Sequence, residues 1–260
     1  MSALKVKGQM LRYLGIIVTI AGLLSPITAK ADKVIIFAAA SLRDALNSVV
    51  VPYKQENGLD IVISYASSGV LARQISQGAP ASIYLSANEK WADWAAEKIA
   101  ISKNISFLSN RLVLITQKTQ QTPIYLDGRL SDSLVNSRLV IGNVNHVPAG
   151  IYAKAALTNL NLWPSVQKYI AQTPNVRAAL LLVERGEAIA GITYQTDAFA
   201  SKGVRVVDTF PQSAHPPIIY KALLIKENET VAAEQVFDFL LSTKAIQIYK
   251  EYGFTISGDE

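Results

Sequence analysis

From Val34 to Glu97 the chain alternates short apolar runs with stretches in which apolar residues return every three or four positions. The short runs Val34 to Phe37, Ile61 to Tyr65 and Ile83 to Leu85 read as buried strands. The periodic stretches Leu42 to Glu56, Val70 to Gln77 and Glu89 to Glu97 read as helices. Strand and helix in strict alternation predict an α/β fold with a largely parallel sheet. The same signals recur further on, with strands at Leu112 to Thr116, Leu139 to Gly142 and Ala190 to Tyr194, and helices at Ala149 to Leu160 and Val176 to Arg185. Ile218 to Ile225 is apolar again, and helical patterns at Val231 to Ser242 and Ala245 to Tyr252 follow it.

Before this pattern lies a segment of another kind. Lys5, Lys7 and Arg12 precede an apolar run from Leu14 to Leu24, and Ala29-Lys30-Ala31 supplies a small-x-small site. That arrangement predicts a cleavable signal peptide over residues 1–31. The apolar run is shorter than the ~20 residues that cross a bilayer. The formal net charge of +5 changes meaning accordingly. Lys5, Lys7, Arg12 and Lys30 belong to the leader, which leaves the rest nearly neutral and without a basic cluster for nucleic acid. The sequence has no cysteine, hence no disulfide and no lipid-attachment site in the chain as read. The expectation is a freely diffusing periplasmic monomer.

Two crossings between α/β units are expected, near Leu108 to Leu112 and in the Pro-rich stretch Phe210 to Tyr220. They divide the remainder into a first lobe of residues 32–108 and 221–260 and a second of residues 109–220. In open parallel sheets a ligand sits beyond the carboxyl ends of the strands. Two serine-bearing corners occupy that position, Phe37-Ala38-Ala39-Ala40-Ser41-Leu42 and Tyr65-Ala66-Ser67-Ser68-Gly69-Val70. A Ser at a helix N-cap gathers its hydroxyl and free backbone N–H groups into one volume, where the helix dipole also favours an anion. Pro148 and the Pro174-Asn175 pair introduce two more helices in the same way, with Ala149, Gly150 and Val176 at their starts, and the small Ala149 and Gly150 let a ligand approach their exposed N–H groups closely. Tyr194 ends a strand, placed to send its phenol into a cleft.

Catalytic signals are sparse. Only His146 and His215 are present, neither serine corner fits a Gly-x-Ser-x-Gly elbow, and no spacing fits zinc. A hydrolase using Ser41 or Ser68 with His146 stays as the reading from another class. Binding without turnover fits the residues better.

Taken together, Phe37 to Leu42, Tyr65 to Gly69, Leu71-Ala72-Arg73-Gln74-Ile75, Gly78-Ala79-Pro80-Ala81, His146 to Lys154, Leu182-Val183-Glu184-Arg185 and Tyr252-Gly253-Phe254 resemble the periplasmic molybdate-binding proteins of bacterial ABC transporters. The resemblance runs from Lys33 to about Ile256. It implies a type II periplasmic-binding-protein fold, two lobes each with a mostly parallel sheet and two crossing strands as hinge. It also implies molybdate or tungstate as ligand, with Ser41, Ser68, Ala149, Val176 and Tyr194 as its donors. Molybdenum would be held through its oxygens with no direct protein ligand and no cofactor, and the partner would be a membrane permease. Two departures are Ser82 and Asn143-Val144-Asn145, where the family commonly carries acidic residues. Sulfate and phosphate are the alternative ligands for the same fold. A site made only of hydrogen donors leaves the proton of hydrogen phosphate unmatched, so fully deprotonated oxyanions are favoured and cavity size separates them.

Overall fold

The structure is a computed structural model that describes Lys33 to Gly258, so the signal peptide read over residues 1–31 lies outside the described residues. Strands β1 (Lys33–Ala39), β2 (Asp60–Ala66) and β3 (Ile83–Ser86) are joined by helices α1 (Arg43–Asn57) and α2 (Ser68–Ser76) and followed by α3 (Glu89–Ala96). Then come β4 (Ile101–Ser109), β5 (Leu112–Gln117), α4 (Leu130–Ser133), β6 (Leu139–Gly142), α5 (Pro148–Asn159), α6 (Trp163–Val166) and β7 (Ile170–Thr173). The remainder is α7 (Val176–Glu184), β8 (Ala190–Tyr194), α8 (Gln195–Ala200), β9 (Val204–Thr209), β10 (Ile219–Ile225), α9 (Val231–Leu240), α10 (Thr243–Glu251) and β11 (Thr255–Ile256).

These strands form two sheets, one ordered β11-β4-β10-β3-β1-β2 and the other β7-β6-β8-β5-β9. The expected mostly parallel sheets are in fact mixed. β1 pairs parallel with β2 and β3, but β10 joins antiparallel to β3 and to β4. Likewise β6 pairs parallel with β7 and β8, whereas β5 is antiparallel to β8 and β9. The difference comes from β10 and β5, each antiparallel to both its neighbours, and from β4 and β9, which the apolar pattern did not single out. β4 exposes most of its first six residues and β9 is mostly half-buried or exposed, so neither makes a continuous apolar run. Their partners are distant in sequence, β10 and β11 for β4 and β5 for β9. The chain leaves the first sheet after Ser109, enters the second at Leu112, and returns between Thr209 and Ile219.

Helices cover both faces of both sheets. One buried cluster carries Leu42, Leu46 and Val49 of the first unit together with Tyr152, Ala153 and Leu157 of α5 and with Phe210 and Tyr220, so it is continuous through the molecule. Smaller clusters lie under α2 and α3, around Leu71, Tyr84 and Ala92, and under α7, around Val113, Val140 and Val183. Each fully buried Leu or Val contributes about 1.5–3 kcal/mol, which explains why no disulfide is needed. Among the described residues no helix is long and apolar enough to cross a membrane.

Candidate functional site

β1 and β2 end level, with Ala39 opposite Ala66, so the corners that follow them lie side by side. Ser41 sits within a 3-10 turn, Ala40–Leu42, that leads into α1. Its side chain is 3% exposed and its Oγ lies 2.9 Å from the Tyr220 Oη. At the second corner Ser67 is the N-cap of α2 and Ser68 its first residue. The expected capping chemistry is absent: Ala39 and Ser67 hold the cap positions, and neither side chain makes a cap hydrogen bond. Val70 and Leu71 donate their N–H groups to the Ser67 carbonyl, which leaves the Ser68 and Gly69 N–H groups without intrahelical partners. The Ser68 Oγ accepts from the Ala87 N–H at 3.0 Å, so its own hydrogen remains to be given elsewhere. The buried Ser67 Oγ has no partner among the described residues.

The second pair of helix starts is assembled the same way from the other sheet. β6 and β7 also end level, Gly142 opposite Thr173, and lead into α5 and α7. Pro148 takes the first position of α5, where its missing N–H loses nothing. Ile151 donates to the Val147 carbonyl, so the N–H of Ala149 lies before the intrahelical ladder begins. Gly150 has a different reason from the close ligand approach expected of it. A Cβ there would lie 2.0 Å from the Gly142 carbonyl oxygen, so glycine is what lets α5 seat against the end of β6. At α7 the Asn175 Oδ1 accepts from the Ala178 N–H at 3.0 Å, a true side-chain cap, and leaves the Val176 N–H free. Tyr194 ends β8, and its buried Oη has no partner. Gly69 joins the two halves: a Cβ on it would lie 2.5 Å from the His146 carbonyl oxygen.

Ser41, Ser68, Ala149, Val176 and Tyr194 all line one small pocket, together with Ser67, Asn175 and small apolar residues. Among the described residues no charged side chain lines it. Its cavity volume of about 10 Å³ lies far below the ~300–1,000 Å³ of drug-sized sites, so the occupant is small. Helix N-termini and hydroxyls supply positive potential there without a titrating cation. Burial, foremost, and the neighbouring Tyr220 and Tyr152 hold the Tyr194 phenol well above its usual range, so it is a neutral donor.

Charge lies one layer behind. The Arg177 guanidinium contacts Asp197 at 2.6 Å and Asp44 at 2.7 Å, so α7 is tied both to α8 and to α1. The Asp197 contact is an ion pair off the hydrogen-bond axis, and the other Asp197 oxygen accepts the Tyr194 N–H at 3.3 Å. His146 is half-buried and outside the pocket lining, and burial, then the Arg73 charge, hold its imidazole below the usual value. His215 is also elsewhere, its Nδ1 2.8 Å from the Pro216 carbonyl. Neither histidine is a pocket base for Ser41 or Ser68. Among the described residues no group of three or more His, Cys, Asp or Glu could hold a metal ion. Ser82, at the foot of β3, and Asn143 to Asn145 lie outside the lining.

Sequence reasoning missed Ser67, Arg177 and the pair Asn110 and Tyr220. Ser67 was visible as a second hydroxyl beside Ser68. Asn110 was visible only as a polar residue between two apolar strands.

The family described as bacterial extracellular solute-binding protein matches residues 34–255. The chain is 43% identical over 233 residues to the molybdate-binding protein ModA of Escherichia coli K12, covering 88% of this chain and 91% of that protein. A solved substrate-binding domain of a putative molybdenum ABC transporter from Clostridium difficile superposes with a TM-score of 0.64 at 30% identity, over 86% of this chain and 98% of that one. The periplasmic molybdate-binding protein of Azotobacter vinelandii gives a TM-score of 0.74 at 24% identity, over 86% and 99%, and supports the fold.

Proposed function

This chain belongs to the bacterial extracellular solute-binding proteins, and from that premise we propose that it captures molybdate, and equally tungstate, in the periplasm and hands it to the membrane permease of an ABC importer. The observation that carries the reading is the pocket itself, where five chain segments from two sheets present hydroxyls and free N–H groups and no charged side chain of the described residues. The relative at 43% identity, named for molybdate, points to the same ligand. A tetrahedral dianion held there exchanges water for fixed donors, each charge-assisted bond worth about 1.5–3 kcal/mol. The metal centre travels as part of the ligand, bound through its oxygens, and no cofactor is invoked.

The protein works by binding and release, without turnover, as a monomer freed of its leader and not tethered by lipid. Residues 32–108 with 221–260 form one lobe and residues 109–220 the other, and the crossings at Asn110-Arg111 and Phe210 to Ile218 act as the hinge. Asn88 to Tyr152 at 2.9 Å and Asp44 to Arg177 at 2.7 Å are contacts that opening would break.

A calorimetric panel of molybdate, tungstate, sulfate and phosphate tests this. Molybdate and tungstate should bind alike, sulfate more weakly and phosphate least, and molybdate at 100 times its Kd should stabilise the fold by about 2.7 kcal/mol. Binding of phosphate or sulfate in preference to molybdate overturns the assignment.

A further inference from the structure

Ser41 is wired to the hinge. Its Oγ lies 2.9 Å from the Tyr220 Oη, and Tyr220 in turn receives the Asn110 Nδ2 at 3.2 Å. Tyr220 is the second residue of the return strand β10, and Asn110 is the residue at which the chain leaves the first sheet. All three side chains are buried, Tyr220 completely.

The direction of the Asn110–Tyr220–Ser41 relay follows from what its neighbours donate and accept. The Asn110 Oδ1 accepts the Arg111 backbone N–H at 2.9 Å, and its Nδ2 also donates to the Thr196 Oγ1 at 2.9 Å. A flipped amide would set its NH₂ against the Arg111 N–H, donor against donor. Asn110 therefore donates to Tyr220. With that lone pair taken, the one arrangement that leaves no buried hydrogen unmatched has Tyr220 donating to Ser41. Ser41 then has its hydrogen to give to the pocket. The opposite polarity, with Ser41 accepting from a ligand and donating to Tyr220, strands the Tyr220 hydrogen in a fully buried position.

Resting on the oxyanion reading above, we propose that Asn110 and Tyr220 are specificity-determining positioning residues: they fix Ser41 as a donor and so make the site reject oxyanions that carry a proton. Neither residue lines the pocket. Selectivity is thus set in part by an amide in the crossing segment, acting through a relay of Arg111 N–H, Asn110, Tyr220 and Ser41.

Asn110→Asp tests it, because a carboxylate at this position accepts where the amide donated and reverses the relay. Calorimetry is done at mildly alkaline pH, where molybdate and hydrogen phosphate are both dianions and differ by one proton. Repulsion by the new charge weakens both alike, so the ratio of the two Kd values reports proton direction alone. The expected result is a phosphate-to-molybdate Kd ratio smaller than in the parent by roughly 10-fold or more. In a Ser41→Ala background the same substitution should leave the ratio unchanged. An unchanged ratio in the Ser41 protein, with the fold intact by thermal melting, overturns the relay. Should Asn110→Asp not fold, Tyr220→Phe gives the second test. It should weaken molybdate several-fold with Ser41 present and have no effect in Ser41→Ala, and an equal loss in both backgrounds overturns the proposal. Failure of the parent to bind molybdate refutes the functional reading instead, so the two failures are distinct.

Discussion

The two halves of the pocket solve one problem with different parts. The first sheet contributes hydroxyls of Ser41, Ser67 and Ser68, while the second contributes the backbone N–H groups of Ala149 and Val176 and one phenol. In the first half Ser41 and Ser68 are anchored, each in a hydrogen bond to Tyr220 or to the Ala87 N–H. In the second half Tyr194 ends in an oxygen with no partner. An anchored donor is aimed before the ligand arrives, whereas a bare one carries an unmet bond that the ligand satisfies. Ser67 in the first half is bare like Tyr194, so the contrast runs between the anchored Ser41 and Ser68, which fix direction, and the bare Ser67 and Tyr194, which supply drive.

The most severe way to break that contrast is to delete a backbone donor, which Ala substitution cannot do. Val176 is the first residue of α7, where proline is tolerated, and Asn175 before it is extended at φ −161 and ψ 170, as a residue preceding proline requires. Val176→Pro should therefore remove the N–H and keep the helix. Molybdate affinity is expected to fall by about 1.5–3 kcal/mol, roughly 10- to 100-fold, with little change in the melting temperature of the free protein. Full affinity by calorimetry would take the Val176 N–H out of the site.

A smaller effect separates anchored from bare hydroxyls. Ser68→Ala removes the acceptor of the Ala87 N–H, so the free protein should lose about 1–3 kcal/mol in addition to weaker binding. Tyr194→Phe removes an oxygen that bonds nothing in the free protein, so its ligand-free stability should hold or rise while affinity drops. Denaturant titrations with and without molybdate distinguish the two. Equal loss of ligand-free stability in both variants would erase the distinction.

The same contrast explains what was legible beforehand. Alternating β and α patterns revealed β1 to β3 and their helices because buried parallel strands are continuous apolar runs. β4 and β9 were hidden because strands with one wet side break that run. Hydroxyl donors could be read from residue type, and the backbone donors only from Pro148 and Asn175, which mark helix starts. The role of Asn110 and Tyr220 could not be read, since what matters about them is a contact across 110 residues of chain. Gly150 shows the reverse error: it was read as access for a ligand, and its reason is the Gly142 carbonyl behind it.

The finest difference between the halves is their response to pH. No titrating carboxyl or histidine lines the pocket, but behind Tyr194 lies Asp197, fully buried, with one oxygen on the Tyr194 N–H. Burial pushes the Asp197 carboxyl up to about 6, with the Arg177 charge opposing it. A carboxyl whose folded value lies above its unfolded value of 3.8 binds its proton more tightly in the folded state. Its contribution therefore rises as pH falls through about 6, levels off below the unfolded value, and is lost as pH climbs back through about 6. Asp197→Asn cannot titrate and cancels the pH response of every other group. The stability of the parent relative to Asp197→Asn should grow by about 1 kcal/mol or more on going from neutral to mildly acidic pH. A difference that shrinks instead would mean that the Arg177 ion pair outweighs burial. In that case the second half, like the first, would be built on groups that hold one charge state throughout.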